Sequence, residues 1–389
     1  MKIANRMEKL APSLTLSITA LANELKAQGK DILSFSAGEP DFDTPEIIKQ
    51  AAIKAINDGH TKYTAVEGII ATKQAIINKL KKDHGLEYKL DGIVISNGAK
   101  HSLFNLFQVL VEEGDEVIIP APYWVTYPEQ VKYSGGEPVF IETDDSTEFK
   151  ITPAQLKAAI TPKTKILLLN TPSNPTGSVY SKEELLALGE VLKGTDILVL
   201  SDEMYEKIMY NGKKFTACAE VSEDMYKRTV TINGLSKAVA MTGWRFGYIA
   251  TPDASLAKAM TKLQGQVTSN INTMTQYAAI PALEGDADET IEMMRVEFEK
   301  RKNYAVKAFN DIKGLTCVEP DGAFYLFVNI QNVTKDSMKF CADLLEEKGI
   351  ALVPGLAFGT EGYVRFSFAT DLATIQEGIK RIKEFVESK

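Results

Sequence analysis

Residues 165–202 read KILLLNTPSNPTGSVYSKEELLALGEVLKGTDILVLSD, in which an apolar strand-like run, a proline-rich loop, a helix-like stretch and a second apolar run follow one another. The same alternation continues through the middle of the chain, with further short apolar runs at 92–96, 116–121, 137–142, 228–234 and 246–250. This alternation favours a wound α/β sheet that is largely parallel and covered by helices on both faces.

Length and composition bound the size and the number of domains. The 389 residues are 44% hydrophobic and 25% charged, which is enough to bury a large core and to form two or more domains. The last hundred residues combine a long charged helix with the strand-like runs 322–330 and 363–369. We therefore predict a smaller α+β unit at the C-terminal end.

The net charge of −8 argues against a surface for nucleic acid or for an anionic membrane, but it allows local basic pockets for small anions. No run approaches the roughly 20 apolar residues of a membrane span. The three cysteines show no metal-like spacing, which is typical of reduced thiols and predicts a cytoplasmic location. The three histidines are too scattered to predict a metal site.

Two cations lie in the mostly small and apolar stretch INGLSKAVAMTGWRFGYIA, residues 232–250. Lys237 and Arg245 could simply extend to solvent, as long cationic side chains usually do. However, Lys237 has small neighbours, and a desolvated amine tends to lose its proton and become a nucleophile. Arg245 offers a planar fork that suits phosphate. An imine-forming lysine and a phosphate-binding arginine together suggest pyridoxal phosphate.

Further residues meet the other chemical demands of that cofactor at the carboxyl ends of strands, where ligands collect in such sheets. Asp202 follows a very apolar strand and could keep the pyridine nitrogen protonated, although it could also cap the next helix. Tyr205, one helical turn later, could donate to the phenolic oxygen. Asn174 is a second candidate for that oxygen, although turn chemistry alone explains an asparagine in a proline-rich loop.

The phosphate needs a cluster of donors. Gly98 and Ala99 lead from a strand into an apolar-periodic helix, so free backbone N–H groups would point at an anion there. Trp124 could stack on the cofactor ring or could pack in the core, and Tyr63 leaves the same two alternatives open.

Eight motifs in a fixed order resemble the class I pyridoxal-phosphate-dependent aminotransferases, closest to their bacterial aspartate aminotransferase branch. The motifs span essentially the whole chain: SAGEPDFDTP (36–45), YTAVEG (63–68), APYWVTYPE (121–129), NTPSNPTG (170–177), SDEMYE (201–206), SKAVAMTGWRFGY (236–248), GAFY (322–325) and VRFSFA (364–369). The resemblance implies the fold of type I pyridoxal-phosphate transferases, in which helices cover a mostly parallel seven-stranded sheet. It also implies an N-terminal segment (1–45) that contributes to the small domain, a large domain (46–290) and a small C-terminal domain (291–389).

The resemblance also implies roles for individual residues on the cofactor side. Lys237 would form the Schiff base and move the proton, Asp202 would pair with the pyridinium nitrogen, and Tyr205 would bind the phenolic oxygen with Asn174. The remaining cofactor-binding residues would be Gly98, Ala99, Lys100, Trp124, Ser236, Arg245 and, from a neighbouring subunit of a homodimer, Tyr63. Gly234 departs from relatives that carry a phosphate-binding serine there. By analogy, the bonds Ala121–Pro122 and Asn174–Pro175 should be cis.

On the substrate side, the resemblance implies that Arg365 binds the α-carboxylate, with help from Asn174, Trp124 and the backbone of Gly38. Many aspartate aminotransferases hold the distal carboxylate with an arginine that this chain lacks between residues 245 and 295.

We expect Lys100 to take that place, with Ser13 and Thr15 as hydroxyl partners, although Lys100 could also be a solvated lysine in the first turn of a helix.

We therefore predict a ping-pong aminotransferase that uses aspartate and 2-oxoglutarate. Aromatic amino acids and prephenate are alternative substrates, although Ala11 stands where prephenate-using relatives often have a lysine. A second alternative is a lyase that cleaves the C–S bond of cysteine conjugates, and a third is a catalytically inactive binding protein. The presence of Lys237, Asp202, Arg245 and Arg365 disfavours the inactive protein.

Overall fold

The computed structural model of the protein describes residues 3–389. Within that range the α-helices are α1 (Leu14–Ala27), α2 (Glu46–Asn57), α3 (Ile70–His84), α4 (Ala99–Leu110), α5 (Thr126–Tyr133), α6 (Pro153–Ala159), α7 (Lys182–Leu192), α8 (Glu223–Arg228), α9 (Ala254–Val267), α10 (Thr273–Glu284), α11 (Asp288–Asn310), α12 (Ser337–Lys348) and α13 (Leu372–Glu387). The strands of the same range are β1 (Leu33–Ser34), β2 (Ile93–Asn97), β3 (Glu116–Ala121), β4 (Glu137–Glu142), β5 (Thr164–Asn170), β6 (Leu198–Asp202), β7 (Thr229–Gly234), β8 (Phe246–Ala250), β9 (Thr316–Cys317), β10 (Tyr325–Asn329), β11 (Ile350–Ala351), β12 (Val353–Pro354) and β13 (Tyr363–Ser367).

Seven of these strands form the central sheet, in the order β2-β8-β7-β6-β5-β3-β4. The strands from β7 to β4 pair in parallel, whereas β8 runs antiparallel to both of its neighbours. Each of the seven apolar runs quoted from the sequence forms one of these strands. The predicted α/β fold with a mostly parallel seven-stranded sheet is therefore confirmed.

Alternate side chains of the central strands pack against opposite faces of the sheet. In β5, Ile166 and Leu168 belong to one hydrophobic cluster, whereas Leu167 and Leu169 belong to another on the opposite face. Burial of each such side chain stabilises the fold by about 1.5–3 kcal/mol. This two-sided burial explains why the strands are apolar throughout instead of alternating with polar residues.

A smaller antiparallel sheet, with the order β12-β13-β10-β9, lies in the C-terminal part of the chain. The N-terminal segment contributes a strand next to it, because Leu33 and Ser34 of β1 pair in parallel with Ile350 and Ala351 of β11. Domain boundaries at residues 45 and 290 stay a prediction. Among residues 3–389, no helix is long and apolar enough to cross a membrane.

Candidate active site

A cavity of about 350 Å³ opens at the carboxyl ends of β5, β6 and β7. Most of the predicted site residues line it, namely Ser13, Thr15, Gly38, Ala99, Lys100, Trp124, Asn174, Asp202, Tyr205, Ser236, Lys237, Arg245 and Arg365. Gly98 lies directly before Ala99, against the Arg245 side chain. Tyr63 is 90% exposed and is not brought into this cavity by its own chain.

Lys237 follows β7, in the loop that leads to β8, and its ammonium donates a hydrogen bond to the carbonyl oxygen of Gly38. Burial lowers the pKa of Lys237 to about 8, and the positive charges of Arg365 and Arg245 act in the same direction, against the opposing effect of Glu39. The amine is therefore half unprotonated near pH 8, which is the state that a nucleophile or a base requires.

Asp202 ends β6 with its carboxylate buried in the cavity wall. Burial raises the pKa of Asp202 to about 6, although the hydroxyl of Tyr127, which donates to Oδ2 over 2.8 Å, acts against this rise. Sequence reasoning missed Tyr127. It belongs to the quoted APYWVTYPE motif, but no local pattern in that motif points to Asp202, which lies 75 positions away.

The hydroxyl of Tyr205 lies 2.9 Å from the hydroxyl of Tyr325, and both side chains are buried. Tyr325 belongs to the GAFY motif, but sequence reasoning gave it no role. Either hydroxyl could be the donor. When Tyr325 donates to Tyr205, the Tyr205 proton is free to bind a ligand. Tyr325 thus supports the orientation of Tyr205 in the cavity wall.

Gly98, Ala99 and Arg245 form a concave surface at the start of α4. Gly98 has a φ of +86°, and a Cβ atom there would lie 2.3 Å from Nη2 of Arg245, so only glycine lets the guanidinium come this close. A Cβ atom on Gly247 would lie 2.2 Å from the backbone nitrogen of Ala99. A helix N-terminus and a guanidinium on one concave surface suit a dianion such as phosphate.

Gly234 leaves no room for a larger side chain such as serine. A Cβ atom at this position would lie 2.6 Å from the carbonyl oxygen of Phe246, on the neighbouring strand β8. Ser236 lines the cavity two residues later, next to Lys237. A hydroxyl is therefore available on this loop without the serine.

Arg365 lies on β13, fully buried, and its guanidinium donates to Oδ1 of Asn174 over 2.9 Å and to the carbonyl oxygen of Ser36 over 2.7 Å. The rings of Tyr325 and Phe358 lie 4.5 and 5.1 Å from its central carbon. In residues 3–389 no carboxylate is among its partners, and its Nε has no hydrogen-bond partner. A buried guanidinium held this way is ready to bind a small carboxylate.

Comparison with known proteins agrees with this geometry. The family "aminotransferase class I and II" matches residues 30–382. The chain belongs to this family.

Two relatives match the aminotransferase along its whole length. The aspartate aminotransferase of Geobacillus stearothermophilus is 51% identical, with 100% of both chains covered. The aspartate/prephenate aminotransferase of Nitrosomonas europaea is 49% identical, over 98% of this chain and 99% of its own. The solved structure of aspartate aminotransferase from Thermus thermophilus with maleate has a TM-score of 0.95 at 38% identity and covers 99% of each chain.

At the mouth of the aminotransferase cavity, Lys100 lies with its ammonium 4.8 Å from the centre of the Trp124 ring. Ser13, which caps α1, and Thr15 line the same cavity. The structure therefore brings together the three residues that were predicted to contact a distal carboxylate. Arg365 contributes to the same cavity from the smaller sheet.

The loop after β5 differs in detail from the sequence reading. Asn170, not Asn174, ends the strand, and its Oδ1 accepts a hydrogen bond of 2.8 Å from the backbone nitrogen of Asn174. Asn170 also donates to the carbonyl oxygen of Asp202 over 3.0 Å, so it connects the two strand ends. The cis bonds expected at Ala121–Pro122 and Asn174–Pro175 are confirmed, and Thr171–Pro172 is cis as well, which was not expected.

Proposed function

We propose that this chain is a pyridoxal-phosphate-dependent aspartate aminotransferase that moves an amino group between aspartate and 2-oxoglutarate. One observation carries the proposal: a single cavity holds Lys237 and Asp202, with the buried cation Arg365 on one wall and Lys100 at the mouth. Two cations suit the two carboxylates of a dicarboxylic amino acid. The relatives from Geobacillus and Thermus are both named aspartate aminotransferases, which agrees with this choice.

The residues of the cavity fit the cofactor group by group. Arg245 and the first turn of α4 would hold the phosphate, and Asp202 would pair with the ring nitrogen. Tyr205, supported by Tyr325, and Asn174 would contact the phenolic oxygen. Bound pyridoxal phosphate would supply the electron sink that makes the α-hydrogen of an amino acid acidic.

The protein's own groups would perform binding, orientation and proton transfer. Arg365 would hold the α-carboxylate with two parallel hydrogen bonds, which fixes the α-carbon near the Lys237 amine. The Lys237 amine, with its pKa lowered to about 8, would take up the α-proton and deliver it again as an acid. Tyr127 would keep the Asp202 carboxylate oriented through its hydrogen bond of 2.8 Å.

The substrate's second carboxylate would meet Lys100, with Ser13 and Thr15 beside it. This assignment explains how a chain without an arginine between residues 245 and 295 could select a dicarboxylate. Maleate, named with the Thermus structure, is itself a dicarboxylate. An ammonium is a less exclusive partner than an arginine fork, so weaker reaction with neutral amino acids is also expected.

A homodimer is part of the proposal. Tyr63 is 90% exposed and Ile70 is 72% exposed, which is unusual for an aromatic and an aliphatic side chain only seven residues apart. A second copy would cover this surface, and Tyr63 would then reach the phosphate in the partner's cavity. A cytoplasmic location remains a prediction.

A panel of half-reactions tests the proposed function. Purified protein loaded with pyridoxal phosphate is mixed with one amino acid at a time, and the visible absorption of the cofactor is followed. Aspartate and glutamate should convert the cofactor to its amino form fastest, and 2-oxoglutarate should restore the original spectrum.

The same panel distinguishes the alternatives. Release of pyruvate from a cysteine conjugate without any oxo-acid acceptor would instead support a lyase. A protein that gains no chromophore from pyridoxal phosphate would contradict the proposal altogether.

A further inference from the structure

The turn that follows β6 faces two different environments. Asp202 and Tyr205 line the active-site cavity, whereas Glu203 and Glu206 are buried outside that lining. The turn is closed by a backbone hydrogen bond of 3.1 Å from Glu206 to the carbonyl oxygen of Glu203. Tyr205 thus lies inside a closed turn, directly before Glu206.

Behind the turn, Glu206 lies between two basic side chains of α3. Its Oε1 pairs with the ammonium of Lys79, and its Oε2 lies 2.8 Å from Nε2 of His84. The other ring nitrogen of His84 lies 3.2 Å from a carboxylate oxygen of Glu220. The Lys79, Glu206 and His84 side chains are each less than 10% exposed, so we call them the buried ion network.

The buried ion network carries full charges at neutral pH. Burial alone would lower the pKa of His84, but the neighbouring carboxylates of Glu206 and Glu220 outweigh it and raise that pKa to about 9. Burial alone would raise the pKa of Glu206, but Lys79 and His84 hold it well below its usual range. Two cations on one carboxylate leave the glutamate little freedom to move.

Together with Asp83, two residues of the network are spaced as metal ligands can be: ligand atoms of Asp83, His84 and Glu206 lie within 4.8 Å of one another. However, Lys79 and Lys207 already occupy the carboxylates, with Lys207 2.8 Å and Lys79 3.4 Å from Asp83. A divalent cation would meet two ammonium groups. The arrangement is an ion-pair network.

We infer that the buried ion network positions Tyr205 for the cofactor, so that Lys79, Glu206 and His84 are positioning residues. The inference rests on the proposed function, because it concerns a residue that would contact pyridoxal phosphate. Its physical basis is that one buried charge cluster fixes Glu206, and the hydrogen-bonded turn 203–206 transmits this fixation to the adjacent Tyr205.

The test is Glu206→Gln in the holoenzyme, with two readouts besides activity. The first is the dissociation constant for pyridoxal phosphate, which should rise about tenfold, the effect of losing one to two oriented hydrogen bonds. The second is the pH at which the visible absorption changes. A hydrogen bond donated to the phenolic oxygen stabilises the deprotonated form, so its loss should shift this pH upward by about 0.5–1 unit. His84→Gln, which keeps N–H donors but loses the charge, should shift both readouts in the same direction by less.

The matched control is Arg228→Gln, at the opposite end of β6. Arg228 pairs with Asp224 over 2.8 Å and donates to the carbonyl oxygen of Ile197 over 2.8 Å, so its loss should lower the melting temperature. Arg228→Gln should change neither the dissociation constant for pyridoxal phosphate nor the pH at which the visible absorption changes.

Two results would each decide against one idea, and His84→Gln keeps the first of them measurable. If Glu206→Gln and His84→Gln lower only the melting temperature, as the control does, the network is structural and the inference is wrong. If Glu206→Gln does not fold, His84→Gln alone decides between the same two readings. If the wild-type protein does not bind pyridoxal phosphate, the proposed function fails, which the wild-type titration shows by itself.

Discussion

The replacement Lys100→Ser tests how the aminotransferase would recognise a second carboxylate. We expect a loss in kcat/KM for aspartate and hardly any change for alanine, because alanine has no distal carboxylate. Serine keeps a small polar side chain at the first turn of α4 and removes the ammonium that lies 4.8 Å from the centre of the Trp124 ring.

The position of Lys100 sets the size of the expected loss. A fully exposed ion pair contributes about 0–1 kcal/mol, whereas removing one partner of a buried pair costs about 3–5 kcal/mol. Lys100 is exposed, but its ammonium lies over the Trp124 ring at the cavity mouth. A bound substrate would exclude part of the water from this position. We therefore expect an intermediate cost of about 1.4–2.7 kcal/mol, which is about 10–100-fold in kcat/KM.

The assay is the half-reaction with aspartate and with alanine, followed by cofactor absorption under single-turnover conditions. Lys132→Ser is the matched control, since it removes the same charge from a lysine on α5 that is not among the residues lining the cavity and pairs with Glu129 over 3.5 Å. The control should change neither substrate. Equal losses for aspartate and alanine in Lys100→Ser would place Lys100 on the cofactor side and refute the reasoning.

Three further predictions concern the end of β7 and the loop that leads to β8. Lys237→Ala should abolish turnover and the lysine-dependent chromophore while the circular dichroism spectrum stays that of a folded protein; retained turnover would remove Lys237 from the mechanism. Because burial lowers the pKa of Lys237 from 10.5 to about 8, the unfolded chain binds more protons between these values. The cofactor-free wild type should therefore gain stability over Lys237→Ala as the pH rises from 8 to 10.5, as measured by urea unfolding, and a flat difference would show that the amine is solvated. Gly234→Ser should cost about 1–3 kcal/mol, because its Cβ would lie 2.6 Å from the Phe246 carbonyl oxygen; an unchanged melting temperature would show that the strands separate easily here.

The strands of the central sheet could be predicted because their signal is local. A short run of apolar residues between turns is sufficient to identify a strand that is buried on both faces, and β5 and β6 are such runs. Asp202 ends β6 and Lys237 follows β7. Because the carboxyl ends of parallel strands meet at one edge of the sheet, where ligands bind, these two residues are expected to lie together there. Most of the cavity lining follows from this step and from the family motifs.

Contacts between distant residues could not be predicted from the sequence. Tyr127 and Asp202 are 75 positions apart, and Tyr205 and Tyr325 are 120 apart, so neither hydrogen bond has a local signal. The end of α3 reads KLKKDH, as an exposed charged helix would. Lys79 in this stretch is nevertheless buried, because the fold brings Glu206 against it.

The antiparallel direction of β8 has a mechanical consequence. Since β8 begins where β7 ends, the loop 235–245 carries Lys237 at one end and Arg245 at the other. A cofactor attached to both would therefore be fastened to one hairpin of the large sheet, and its ring and phosphate would move as one piece. Arg365 belongs to β13 of the other sheet, so a bound amino acid would bridge two separately built frames. The angle between the α-hydrogen of the amino acid and the cofactor ring would then depend on the position of one sheet relative to the other, whereas both anchors of the cofactor stay on one sheet.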